Sequence, residues 1–193
     1  MISKTHHHFK LFKPYGVLSQ FSSNSTQQKN KRFLGELGTF PKGTMPIGRL
    51  DEASEGLLLL TTDGQMTDFI NSSKIEKEYY AQVDGIITDK AIEKLQNGVE
   101  IGFGGKKYMT KKCLVSKLKY SPTFPMRAKK IRDDRHGPTS WVSLTITEGK
   151  FRQVRKMTSA VGFPTLRLVR VRVGEIEIEH LKAGEYQPIQ LSF

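Results

Sequence analysis

The chain has 193 residues, with 31 Lys and Arg against 19 Asp and Glu, giving a formal net charge of +12. That length fits one domain, built as two halves and able to bury a real core, while the charge points to a polyanionic partner. The basic residues gather in a few segments, which favours nucleic acid over a membrane surface, and no apolar run is long enough to cross a bilayer. Lys4 and His6-His7-His8 interrupt the N-terminus, so no signal peptide is read there and a cytoplasmic location is expected. The single cysteine, Cys113, excludes an internal disulfide, and within Lys112-Cys113-Leu114-Val115 it reads as a buried thiol in a strand.

In chain order, residues 1–8 read as a flexible arm, because the three histidines have no companion ligands at metal spacing. Residues 9–12 and 17–21 read as short strands around the turn Lys13-Pro14-Tyr15-Gly16. The polar stretch 22–32 is expected to be an exposed mobile loop. Leu57-Leu58-Leu59-Leu60 suits a strand covered on both faces, and Asp63 suits the cap of a short helix burying Met66, Phe69 and Ile70. Residues 77–83 read as a strand with Lys77, Tyr79 and Ala81 on one face. Residues 88–97 read as a helix that stops at Gly98, with Ala91, Ile92 and Leu95 inward.

Residues 106–119 interleave basic side chains with Tyr108, Met109, Leu114, Val115 and Leu118, as a strand with a basic outer side would. The Pro- and Arg-rich stretch 121–140 reads as an irregular basic insertion. Its Arg127, Lys129 and Lys130 are expected to touch RNA backbone, although a merely solvated loop would look the same. Val142, Leu144 and Ile146 alternate as in a half-buried antiparallel strand. A helix over 152–161 would bury Val154, Met157 and Val161 and end at Gly162. Arg152 and Lys156 are solvated or touch phosphate, whereas Arg155 borders the apolar face and needs a partner. A long strand over 166–176 then places Leu166, Leu168 and Arg170 on one face.

The chemistry concentrates in Gly48-Arg49-Leu50-Asp51, just before the leucine run. An extended backbone would project Arg49 and Asp51 to one side, either as a structural ion pair in a surface turn or as a working carboxylate beside a guanidinium. Tyr79 is either a core tyrosine or a ring lining a cleft.

Gly48-Arg49-Leu50-Asp51, with Ser54, Gly56 and the leucines, resembles the catalytic motif of pseudouridine synthases, in the branch that modifies ribosomal RNA. Phe12-Lys13-Pro14-Tyr15-Gly16-Val17, Lys77-Glu78-Tyr79 and the segment from Glu148-Gly149-Lys150 through Gln153-Val154-Arg155-Lys156-Met157 resemble further motifs of that branch, in the same order. The resemblance implies an α+β fold: a mixed, largely antiparallel sheet in two halves flanked by helices, with a basic cleft. It implies isomerisation of a uridine in ribosomal RNA, of the large subunit, without metal or redox cofactor. Asp51 would initiate the reaction by attacking the sugar, by abstracting a sugar proton or by adding to the base. Tyr79 would stack on the uracil, Arg155 would hold Asp51 ionised, and Arg49 would fill the place of the flipped base. Lys13, Lys77, Arg152, Lys156 and Arg170, with Arg127, Lys129 and Lys130, would contact RNA. No RNA-binding module is read ahead of the Lys13-Pro14 segment, so grip on the substrate falls to the catalytic domain, which is expected to act as a monomer. The rival reading is a catalytically silent RNA-binding or ribosome-assembly protein of the same fold.

Overall fold

Residues 5–72 and 75–191 are described by the structure, a computed structural model. They fall into two units, one made of Met1–Ile75, Pro125–Ala128 and Gly174–Phe193, the other of Glu76–Phe124 and Lys129–Val173. The fold is α+β; strand pairing is largely antiparallel, and the described residues hold three α-helices. None of these helices is long and apolar enough to cross a membrane.

The first unit contains β1 (His8–Lys13), β2 (Val17–Leu18), β3 (Arg32–Phe33), β4 (Met45–Ile47), β5 (Glu55–Thr61) and α1 (Gly64–Ser72). β5 runs antiparallel to β1 along one edge and to β4 along the other, and the C-terminal strand Tyr186–Pro188 pairs with β1. Every residue of β5 is buried, as four consecutive leucines require. Leu58 and Leu60 join Leu11, Val17 and Leu34 in one core, edged by a ring cluster in which Phe9 meets Phe40 at 5.6 Å and Tyr186 at 5.8 Å. Asp63 caps α1 by accepting from the amides of Gln65 and Met66 at 2.9 and 3.3 Å. Ile70 is buried on that helix, but Phe69 is half exposed, so the apolar stripe is narrower than its spacing suggested.

The C-terminal end of the arm expected over 1–8 is held in place. Residues 1–4 lie outside the described residues, but His7 and Thr62 are joined by backbone and side-chain hydrogen bonds and His8 opens β1. The stretch 22–32 is mostly exposed; Gln20 bonds Gln28, Lys31 pairs with Glu52, and Arg32 enters β3, which pairs parallel with β2.

The second unit contains β6 (Lys77–Asp84), α2 (Asp89–Asn97), β7 (Glu100–Phe103), β8 (Lys106–Met109), β9 (Leu114–Lys117), β10 (Thr139–Ile146), α3 (Gln153–Ala160) and β11 (Thr165–Val173). Its sheet runs β11, β6, β10, β9, all antiparallel, while β7 and β8 form a hairpin across Gly104-Gly105. Three expectations change here. β10 is covered on both faces, because Phe124 of the Pro-rich stretch packs near Trp141 and Tyr80 at 5.8 and 6.2 Å. The strand expected over 106–119 breaks into β8 and β9, leaving Met109 and Leu114 exposed and Cys113 between them. β11 stops at Val173, because Gly174 turns with a positive φ, and two register shifts interrupt its alternation.

α2 is capped by Thr88, whose hydroxyl accepts from the Ala91 amide at 3.3 Å, and ends at Gly98 with φ of 94°. A Cβ at Gly98 would lie 2.3 Å from the Thr110 carbonyl oxygen. Gly98→Ala is therefore expected to cost about 3 kcal/mol, from positive-φ strain and the clash together. Gly64→Ala, in open space at the start of α1, is expected to be neutral or stabilising by under about 1 kcal/mol. Denaturant titration of both variants checks the contrast; equal effects would contradict it.

Candidate active site

The loop from Gly48 to Ser54 joins β4 to β5 and has no strand partner, so its backbone groups bond elsewhere. Ser19 Oγ donates to the Leu50 carbonyl at 2.7 Å and accepts from the Leu50 amide at 3.0 Å. The Gly16 amide donates to the Glu52 carbonyl at 2.8 Å, and the Ser54 amide to the Asp51 carbonyl at 3.0 Å. Asp51 is half-buried just ahead of the wholly buried β5, while Arg49 stays exposed. The Lys13-Pro14-Tyr15-Gly16 turn and the Gly48-Arg49-Leu50-Asp51 loop thus form one hydrogen-bonded piece.

Lys13 departs from its expected role. It is wholly buried, and its Nζ donates to the Pro14 and Val17 carbonyls at 2.9 and 2.7 Å, so it braces the turn from inside. Arg127 also departs: its guanidinium lies 4.0 Å from the centre of the Tyr15 ring, and its Nε is 3.5 Å from buried Glu55. It anchors its segment to the first unit, whereas Lys129 and Lys130 are exposed.

In the second unit Tyr79 is 9% exposed on β6, opposite Leu144 of β10 and Arg170 of β11. Arg170 is 4% exposed, too buried for the phosphate contact expected of it. Lys77 is half-buried, and burial together with the nearby Arg170 charge holds its pKa below the usual lysine value. Arg152, Arg155 and Lys156 line one cavity of about 390 Å³ with Glu100 and Gly102. Arg155 is half-buried, and its Nη1 donates to the Thr165 carbonyl at 3.3 Å; Lys156 Nζ donates to the Gly102 carbonyl at 2.8 Å. The Cys113 thiol is pushed up to about 11, chiefly by burial, and stays protonated. No group of His, Cys, Asp and Glu arranged to hold a metal occurs among the described residues.

Glu148 opens one of the resembling segments, but sequence reasoning assigned it no role. This buried carboxylate accepts from the Tyr108 hydroxyl, from the Lys111 amide at 2.9 Å and from Gln153 Nε2 at 2.7 Å. Gln153 Oε1 in turn accepts from the Lys150 amide at 3.0 Å, which folds 148–153 into a tight entry to α3. Arg152 takes a left-handed backbone there, with φ of 53°. The signal was present as a lone acid in a basic stretch, but its partners are distant in sequence.

An α+β fold with a backbone-clamped aspartate in a Gly-Arg-Leu-Asp loop, and a second unit rich in half-buried cations, defines a class of enzyme acting on a polyanion. The sequence profile described as RNA pseudouridylate synthase matches residues 7–160. The chain is 42% identical to the ribosomal large subunit pseudouridine synthase E of Xanthomonas campestris pv. campestris, over 92% of each chain. It is 32% identical to the ribosomal large subunit pseudouridine synthase B of Bacillus subtilis, over 92% of this chain and 66% of that one. A solved structure described as a pseudouridylate synthase matches with a TM-score of 0.74 and 27% identity, over 98% of this chain and 73% of the other. The chain belongs to the RNA pseudouridylate synthase family.

Burial opposes ionisation of Glu148, and the Tyr108, Lys111 and Gln153 hydrogen bonds outweigh it, so its carboxyl sits below the ordinary value when folded. The stability it contributes is present above the unfolded value of about 4.3 and is lost as pH falls through the lower folded value. Glu148→Ala is expected to cost about 2 kcal/mol at neutral pH. The stability gap between the native chain and Glu148→Gln is expected to narrow below about pH 4. Urea titrations across this range check both; a gap that widens on acidification would contradict the assignment.

Proposed function

We propose that the chain isomerises a uridine of large-subunit ribosomal RNA to pseudouridine. The observation that carries this reading is the match to the Xanthomonas campestris enzyme over nearly the whole of both chains. In the reaction the bond from the sugar to uracil N1 breaks, the base turns, and a bond from the sugar to C5 forms. C5 loses its proton and N1 gains one, so no atom is gained or lost overall. A stacked base is out of reach, so the uridine is flipped, and Arg49 fills the place it leaves.

Asp51 starts the reaction, and the clamp on Leu50 and Glu52 supports this reading because it fixes the backbone on either side of Asp51 before substrate arrives. Tyr79 stacks on the detached uracil. Arg155 compensates the Asp51 charge once a bound base has displaced water; otherwise desolvation would push the carboxyl toward its neutral form. Exposed Arg152, Lys129 and Lys130 contact phosphates. The enzyme acts in the cytoplasm, as a monomer.

Pseudouridine mapping of large-subunit RNA from cells with and without the gene tests the substrate: one uridine is expected to lose its modification, and an unchanged map would overturn the assignment. Asp51→Asn keeps the shape of the side chain and removes its basicity, so it is expected to fold, to bind RNA and to give no product. Measurable turnover by the purified variant would remove Asp51 from its role. Arg155→Lys restores charge without a two-pronged guanidinium and is expected to turn over about tenfold or more slowly than the native chain, yet faster than Arg155→Ala. Single-turnover rates that rank the two substitutions equally would place the cation elsewhere.

A further inference from the structure

Beside the Asp51 loop the first unit holds a cavity of about 380 Å³, within the roughly 300–1,000 Å³ of small-ligand sites. Among its lining residues are Gln20 and Asn71, which carry side-chain amides, Phe21 and Met45, which carry apolar surface, and Thr44 and Arg49. Side-chain amides can bond the edge of a flat group, and a ring and a thioether offer surface to its face, while the Thr44 hydroxyl donates to the Pro41 carbonyl at 2.7 Å. Gln20 Nε2 donates to Gln28 Oε1 at 2.7 Å, which fixes the amide. Asn71 is exposed on the last turn of α1, with its Oδ1 so near Gly48 that a Cβ there would lie 3.1 Å away.

This cavity is tied mechanically to the proposed catalytic loop. Ser19, which also lines it, is the residue that clamps both backbone groups of Leu50, between Arg49 and Asp51. An object seated in the cavity is therefore held in fixed register with the loop that carries Asp51. In a single RNA strand, such an object is the neighbour of the target nucleotide.

We propose that the cavity receives the unpaired base of a nucleotide flanking the target uridine, with Asn71 and Gln20 reading its edge. The inference rests on the pseudouridine synthase reading above and assigns that reaction a residue pair that selects sequence. The chemistry it recognises is a nucleobase edge of hydrogen-bond donors and acceptors, not the phosphate backbone.

The test uses the full chain and a stem-loop RNA containing the uridine found by mapping. Single-turnover kcat/KM is measured on the intact RNA and on RNAs made abasic at each flanking position in turn. At one position the abasic change is expected to cost the native chain about tenfold or more. Asn71→Ala is expected to lose about tenfold on intact RNA and nothing further on that abasic RNA, and Gln20→Ala to behave in the same way. Losses that multiply at every flanking position, or an Asn71→Ala variant as fast as the native chain, would overturn the inference while the enzyme reading stands. Absence of pseudouridine formation by the native chain on its mapped substrate would overturn the enzyme reading, and this inference with it.

Discussion

A carboxylate placed at the mouth of a wholly buried strand needs a loop that holds still without sheet hydrogen bonds, and the Ser19 hydroxyl supplies two of the bonds that hold it. Ser19 Oγ satisfies the amide and the carbonyl of Leu50 together, and the Gly16 amide takes the Glu52 carbonyl two residues on. The turn at Pro14 is stiffened from within by buried Lys13, so the clamp is itself fixed to β1. Preorganisation of this kind avoids an ordering cost at the moment of reaction.

The second unit solves a similar problem with a charge. α3 begins after a left-handed residue, Arg152, a conformation that L side chains adopt at a cost of roughly 1–3 kcal/mol. The buried Glu148 carboxylate offsets it by collecting the Tyr108 hydroxyl, the Lys111 amide and the Gln153 amide on one point. Arg155 then follows at a defined place on the helix, with its guanidinium held toward β11 by the Thr165 carbonyl. Tyr108 and Lys111, which lie between the resembling segments, serve this positioning.

Much of this was legible in the sequence where physics is local. The leucine run, the Asp63 cap, the α2 face and the motif loop follow from burial, capping and turn chemistry within a few residues of each other. What sequence could not show was tertiary. Lys13 and Arg170 look like phosphate ligands in a chain of +12, yet the fold buries both. Arg127 looks like one more cation in a basic insertion until Tyr15 and Glu55 arrive beside it from far away in the sequence. β10 shows clean alternation, and nothing in its own residues announces that Phe124 will cover the other face.

The leucine strand has a further consequence for assembly. Alternating strands report their own register, because a slip of one residue puts polar groups in the core, but four identical residues in a row are indifferent to such a slip. Register along β5 must then be read from its ends. At one end Thr61 Oγ1 is fully buried and shares hydrogen bonds with His8 Nδ1 at 2.8 Å and the Asp63 amide at 2.9 Å; at the other, buried Glu55 meets Arg127. A slipped strand would strand both polar groups without these partners and drag Asp51 about 3.4 Å along the sheet. The strand's terminal polar residues therefore act as proofreaders of chain alignment, and the accuracy of the carboxylate's position is decided during folding, before any RNA is met.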